Sequence, residues 1–396
     1  MKIAIIGGGI GGAATAHALL RKGFDVTIFE QAPAFGEVGA GVQITPNAVK
    51  AIVGLGLADK LFANAFYPKA VTGRHWQSGR QNFRIDLGPE FRAHYDAPFI
   101  HVHRADLLDI LISDLPSENC RFNMRCTGIE QTAGGARASF ADGSQIDADL
   151  IIGADGVRSV VRSQLFGEGG LRWTGHQCYR ALVPTGGVVD YVAPESAFWM
   201  GPKAHVVTYY VKGGRAVNIV AVTEAQEWVT ESWSTRASAD EMLRDFEGWH
   251  PDLQKLFEGV TETFNWGLFD RDPMDTWSKG NVTLLGDACH PMLPFLSQGA
   301  AMAIEDAYVL AEALAMHRDL GDALAAYEAE RQPRTARVQL EARERGRTYH
   351  LPTEEEMARR DEEYARLAKE DPRTTGINTD WVYDYDPRNF SRKLAA

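Results

Sequence analysis

Lys2-Ile-Ala-Ile-Ile6, Gly7-Gly8-Gly9-Ile10-Gly11-Gly12 and Ala13-Ala-Thr-Ala-His-Ala-Leu-Leu20 form the stretch whose reading decides the fold. The β-branched run has the composition of a buried parallel strand, and the alanine- and leucine-rich run after the glycines that of a helix. Gly7 permits the tight turn, Gly9 lets a pyrophosphate approach the backbone, and Gly12 lets helix and strand pack closely. Val26-Thr-Ile-Phe29 reads as the next strand and delivers Glu30, a carboxylate able to hold ribose hydroxyls and repel a 2′-phosphate. Strand, turn, helix, strand and acid in this order predict an α/β chain with a Rossmann-like adenine-dinucleotide domain. The motif alone leaves FAD and NAD both open.

A second stretch has the same logic. Val282-Thr-Leu-Leu285 reads as a buried strand that breaks at Gly286-Asp287, and a loop marked by Pro291 and Pro294 leads to Gly299-Ala300-Ala301, which opens a long helical pattern. A strand end, one carboxylate, a constrained loop and a helix N-terminus make a site for a ligand with hydroxyls and an electron-rich end.

The 396 residues predict one to three domains, and 45% apolar with 24% charged residues is ordinary for a soluble globular chain. A net charge of −12 argues against a general nucleic-acid or anionic-membrane binder. Cys120, Cys126, Cys178 and Cys289 have no metal-ligand spacing and read as reduced thiols, so a cytoplasmic protein without a bound metal is expected. Neither a secretory leader nor a membrane span is read from the sequence.

Between these landmarks, Gly36-Glu-Val-Gly-Ala-Gly-Val-Gln43 suggests backbone lying against a flat ligand, with Gln43 either a polar loop residue or a cofactor contact. Arg104 stands at a strand–helix junction, where it suits a diphosphate clamp or a surface ion pair. Gly153-Ala-Asp155-Gly156 closes a small β-meander as a glycine-flanked acid after a strand. From Leu171 to about Leu268 the pattern turns all-β. There His205, Val207, Tyr209 and Val211 share one strand face by the two-residue period, with His205 and Tyr209 about 13 Å apart at roughly 3.3 Å per residue. Taken alone, that pair reads as packing or as one wall of a pocket. Ser238–Glu241 and Thr353–Glu356 are capping boxes, and the mixed residues from Asp384 onward read as a loosely held tail.

Three separated segments coincide: Gly7–Gly12 with Glu30, Gly153–Gly156, and Gly286-Asp287 with His290 and Pro294. Together they resemble the class A single-component flavoprotein monooxygenases, the p-hydroxybenzoate hydroxylase-like group. Within it, Gly36–Gln43, Ile85–Arg92, His103–Leu107 and Gly286–Pro291 are most similar to salicylate hydroxylase, 3-hydroxybenzoate 6-hydroxylase and 6-hydroxynicotinate 3-monooxygenase. The resemblance implies tightly bound FAD: adenosine at Gly7, Gly9, Gly12, Glu30 and Gln31, pyrophosphate near Arg104 and Asp155, ribityl chain on Asp287. The flavin ring would rest against Gly299, Ala300 and Ala301, with Gln43 a further contact.

It also implies that NADH and O2 hydroxylate a small hydroxylated aromatic or heteroaromatic acid through a flavin C4a-hydroperoxide, with decarboxylation open. His205 and Tyr209 would be catalytic and, with Pro294 and Phe295, line the substrate pocket. His205 is expected to take or relay the phenolic proton, since an ordinary imidazole titrates near ~6.5. The related 6-hydroxynicotinate enzyme has histidine where this chain has Gln43 and Phe295, and the 3-hydroxybenzoate enzyme has glutamine where it has Pro294, which leaves the substrate open. No residue is assigned to the substrate carboxylate. Arg215, beside a hairpin turn, is the one arginine standing near the expected pocket strands. The expected segments are 1–170 and 269–350 for FAD, 171–268 for a β-sheet substrate domain and 351–396 for a C-terminal helix and tail, in a monomer or homodimer. The rival readings are an NAD-dependent dehydrogenase, a non-catalytic flavin-binding scaffold, and a flavin monooxygenase of another phenolic or N-heterocyclic substrate.

Overall fold

A computed structural model of the chain describes residues 1–36, 40–225, 236–370 and 379–394. Glu37, Val38 and Gly39 of the second glycine segment lie outside the described residues. Two large sheets organise the rest.

The first sheet has six strands in the order Ser278–Lys279, Val282–Leu284, Leu150–Gly153, Lys2–Ile6, Asp25–Phe29, Cys120–Arg121. All neighbours are parallel except the short Ser278–Lys279 edge. Ile3, Ile5, Val26, Leu150, Ile151, Ile152, Val282 and Leu284 are buried. That is why these segments read as continuous apolar runs: helices cover both faces of a parallel sheet. The glycine turn leads into helix Ile10–Arg21, which packs on the long helix Gly299–Met316. At Gly7 the backbone takes φ +106°, and a Cβ there would stand 2.4 Å from the Ala154 carbonyl; one on Gly12 would stand 2.0 Å from the Gly7 carbonyl. The ends of the Lys2–Ile6 and Leu150–Gly153 strands are thereby held together.

The second sheet has eight strands in the order Arg236–Ala237, Thr263–Asp270, Arg172–Pro184, Ala216–Glu224, Ala204–Val211, Ser196–Gly201, Ala70–His75, Gln81–Asp86. Its last two strands come from the first third of the chain and join it through a parallel pairing of Ala70–His75 with Ser196–Gly201. One face, carrying Trp199, Val206, Tyr210, Ile219 and Tyr179, packs on Met242, Phe246, Trp249 and Leu253 of two short helices, Ala239–Asp245 and Pro251–Glu258, and the turn between them. The other face, carrying Phe198, Val207, Tyr209, Val220, Cys178 and Trp266, meets Leu293, Phe295 and Tyr349. With both faces covered, the central strands Ala204–Val211 and Ala216–Glu224 are buried almost throughout.

Helix Leu320–Tyr349 spans both halves. The described part of the tail, to residue 394, is expected to be loose and is instead packed. Phe390 is buried in the core of the first half, and Lys50 donates to the carbonyls of Tyr383 and Asp384 at 2.8 and 3.1 Å. Aromatic residues spaced among the charges supply the apolar surface that the composition alone obscures. Among the described residues no helix is long and apolar enough to cross a membrane.

Candidate active site

One cavity runs from the glycine turn to the covered face of the eight-stranded sheet. Of the residues expected from sequence it gathers Gly9, Gln43, Arg104, His205, Tyr209, Asp287, Pro294, Phe295, Gly299 and Ala300 in its lining. Gly7, Gly12, Glu30, Gln31, Asp155 and Ala301 do not line it. Glu30 accepts from the amides of Gly8 at 2.6 Å and Ala32 at 2.8 Å, so it braces the turn from behind. Gln31 is exposed and Ala301 is buried in helix packing. Asp155 caps the helix that follows it, accepting from Ser159 Oγ and from the amides of Val160 and Val161 at 2.8 and 3.2 Å. Its neighbours Ala154, Gly156, Val157 and Arg158 are the ones that reach the cavity.

At the glycine end the lining fits a long, hydroxyl-rich cofactor. A Cβ on Gly9 would meet nothing within 4 Å, so the backbone there is open to a ligand. Asp287 is exposed to the cavity yet enclosed by protein; that enclosure pushes its carboxyl upward, while His290 and Arg104 pull the other way. Helix Gly299–Met316 points its N-terminus into the cavity, and no side chain caps it. Eighteen residues of aligned peptide dipoles put partial positive charge there, suited to an electron-rich ring edge. These groups can hold FAD: Asp287 for ribityl hydroxyls, Arg104 for charge, the helix end for the ring.

The loop before that helix is held by a buried ionic cluster. Asp306 Oδ2 accepts from the Gly286 amide at 3.2 Å and lies 2.5 Å from His290 Nε2, while its Oδ1 accepts from Arg331 at 2.8 Å. Burial alone would raise the Asp306 carboxyl, but His290 and Arg331 hold it below the ordinary range. Glu305 pairs with Arg331 and Arg334 and accepts from Asn47 Nδ2 at 2.6 Å. Sequence reasoning passed over Glu305 and Asp306, although two adjacent acids inside an apolar helical run were a signal. Ser297 carries φ +56° and donates to Gln43 Oε1 at 2.7 Å, while the Gln43 amide donates to Ser196 Oγ. Gln43 therefore stitches the loop to the sheet, with a side chain whose carbonyl and amide are both engaged.

At the sheet end, Gly41 lies against the Tyr209 ring, where a Cβ would stand 2.5 Å from Cε2, and its amide donates to Asn218 Oδ1 at 2.6 Å. His101 also packs on Tyr209, at 4.6 Å between ring centroids. Phe295 sits among His205, His350 and His176 at 5.3, 5.6 and 5.9 Å. His205 Nδ1 and His350 Nε2 are 2.6 Å apart, one donating and the other accepting. Burial lowers His205 to about 3 and, with His205 and His176 adding to the effect, lowers His350 well below the imidazole range. The ordinary imidazole pKa expected of His205 from sequence is therefore lost in this environment: both rings are neutral at physiological pH. His350 and His176 went unnoticed in the sequence because they lie far from position 205 in the chain. Arg215 is exposed at its hairpin, away from the cavity.

Residues 1–342 match the family model described as "FAD binding domain". The chain belongs to that FAD-binding family. Relatives of known activity match it over most of its length. It is 38% identical over 387 residues to a 3-amino-4-hydroxybenzoate 2-monooxygenase of Streptomyces platensis, covering 97% of this chain and 96% of the relative. It is 39% identical over 345 residues to a 6-hydroxynicotinate 3-monooxygenase of Bordetella bronchiseptica, covering 85% and 89%. Among solved structures, HpxO of Klebsiella pneumoniae complexed with FAD and uric acid superposes with a TM-score of 0.84 at 27% identity, covering 98% and 96%. These findings bear out the p-hydroxybenzoate hydroxylase-like fold, the FAD cofactor and the monooxygenase class expected from the three motifs.

Proposed function

We propose that this flavoprotein uses NADH and O2 to hydroxylate a small hydroxylated aromatic or heteroaromatic acid. The observation that carries the reading is the cavity itself. One continuous space joins Asp287 and the Gly299 helix end to a sheet face carrying His205 and Tyr209. When bound, FAD supplies the reducing and oxygen chemistry, and the protein supplies position, dryness and charge. A dehydrogenase using the glycine turn alone would leave Asp287, the second helix end and the neutral histidine pair without work.

Asp155 and Glu30 support the cofactor indirectly in this reading, by shaping the backbone of the two turns. Gln31, exposed beside Glu30, would meet the adenosine end. Pro294 and Phe295 form the partition between cofactor and substrate. Ring hydroxylation favours a phenolate, so the phenolic proton must leave during reaction. His205, neutral and hydrogen-bonded to His350, suits passing a proton along a chain better than storing it. Tyr209, pushed above the ordinary phenol range by burial, stays protonated and donates a hydrogen bond to orient the substrate oxygen.

The test is a panel of 3-amino-4-hydroxybenzoate, 6-hydroxynicotinate, 3-hydroxybenzoate and salicylate added to purified yellow holoenzyme. At least one acid is expected to accelerate NADH oxidation with stoichiometric hydroxylated product. NADH consumption that no acid stimulates, or stimulation yielding only hydrogen peroxide, would overturn the reading.

A further inference from the structure

Arg180 is a cation set in an apolar wall. In register across the covered sheet face lie Phe198, Val207, Val220 and Arg180, one on each of four adjacent strands, and all four line the cavity. The guanidinium carbon stands 4.8 Å from the ring centroid of Trp266, which also lines the cavity. Nε is buried without a hydrogen-bond partner. Among the described residues no carboxylate forms an ion pair with Arg180. The neighbouring Cys178 cannot serve as its counter-ion, because burial pushes that thiol up to about 11, against the opposing pull of Arg180, and keeps it neutral. A cation left unpaired in an enclosed, aromatic-lined space is costly unless an anion joins it.

Its position relative to His205 and Tyr209 is fixed by strand register. His205 pairs with Val222 and Val222 with Cys178, two residues before Arg180; Tyr209 pairs with Asn218 and Asn218 with Leu182, two residues after it. Arg180 thus lies between the two rows and two strands across, about 10 Å away laterally at ~4.8 Å per strand. A ring bridging that gap has its hydroxyl at one edge and its anion at the opposite edge.

We propose that Arg180 anchors the substrate carboxylate, and that the preferred substrate carries its hydroxyl para rather than ortho to that carboxylate. The proposal rests on the aromatic-acid reading above and supplies the contact that reading lacks. Arginine suits the task because its planar fork meets a carboxylate in two parallel hydrogen bonds, and Trp266 holds the fork flat.

The experiment is ligand titration of the FAD holoenzyme, followed by the perturbation of the flavin absorbance. The probes are 4-hydroxybenzoate, 2-hydroxybenzoate and 4-hydroxybenzamide, with wild type, Arg180→Gln and Arg180→Lys. Wild type is expected to bind the para acid roughly 10- to 100-fold more tightly than its uncharged amide, the factor a charge-assisted pair contributes, and to prefer the para to the ortho acid. Arg180→Gln should abolish the acid-over-amide preference by weakening the acid alone, and Arg180→Lys should restore part of it. Equal wild-type affinity for acid and amide, or equal losses for both ligands in Arg180→Gln, overturns the carboxylate anchor. A wild-type preference for the ortho acid overturns the para assignment. If wild type responds to no acid in either panel, the monooxygenase reading falls and takes this proposal with it. If it responds while Arg180→Gln retains the same acid-over-amide ratio, only this proposal falls.

Discussion

His205 and His350 face one another at 2.6 Å inside a shell of Phe295 and His176. Such a pair is neutral because desolvation costs an imidazolium more than a single neutral partner returns. His205→Asn keeps a polar side chain but breaks the hand-over to His350. It is expected to lower turnover to hydroxylated product by about 10²-fold, the usual scale of a lost proton-transfer group, while flavin stays bound. His350→Asn should produce the same kind of defect one step removed, smaller in kcat and without a change in substrate affinity. Product quantified per NADH in the two variants checks this, and wild-type turnover in His205→Asn would refute the relay role. Because burial takes His205 to about 3, wild type should also show no kcat/KM inflection near ~6.5 from this residue.

At the scale of elements, the Gly299–Met316 helix is the piece on which the site is aligned. Its Glu305 and Asp306 are wholly buried, and Arg331 from the neighbouring helix bonds both. Removing the arginine takes one partner from each of two buried carboxylates, leaving Glu305 with Arg334 and Asp306 with His290. Arg331→Met should therefore destabilise the protein by about 3–5 kcal/mol, the range for breaking a buried ion pair. Chemical denaturation of the holoenzyme measures it, and a loss under about 1 kcal/mol would show that Arg334 suffices. Here the element was legible in the sequence and its fastening was not. The apolar period over Ala300–Met316 announces a helix, and Gly299-Ala300-Ala301 announces its start. Which arginine reaches back to it depends on how Leu320–Tyr349 folds against it, and no local pattern encodes that.

The whole molecule carries a pH dependence in its buried histidines. Burial takes His101 and His205 to about 3 and, with His205 and His176 adding to the effect, lowers His350 well below the imidazole range. In the unfolded chain each would titrate near ~6.5, so between that pH and the folded values the unfolded state binds more protons. Their contribution to stability is complete above ~6.5 and is lost as pH falls toward about 3, at about 1.4 kcal/mol per pH unit for each histidine. The melting temperature should fall steadily from pH 7 to pH 5. His101→Gln should flatten that fall by one proton's share, and an unchanged slope would argue that His101 does not stay neutral in the fold.

Sequence alone determined the parts whose physics is local. Gly7 and Gly12 announce their turn because a positive φ at the one and the Gly7 carbonyl beside the other leave no place for a side chain, and Asp287 announces its site because strand, acid and helix follow one another directly. The two-residue period likewise put His205 and Tyr209 on one strand face. Tertiary structure decided whatever depends on register or on distant chain. Arg180 faces the cavity only because Arg172–Pro184 pairs with Ala216–Glu224 in one particular alignment; a slip of one residue would turn it to the other face. His350 reaches His205 across 145 residues of chain. Glu30 and Asp155 stand where the sequence put them, yet their carboxylates bond to their own turns, a choice made by backbone amides that only the folded chain brings within reach.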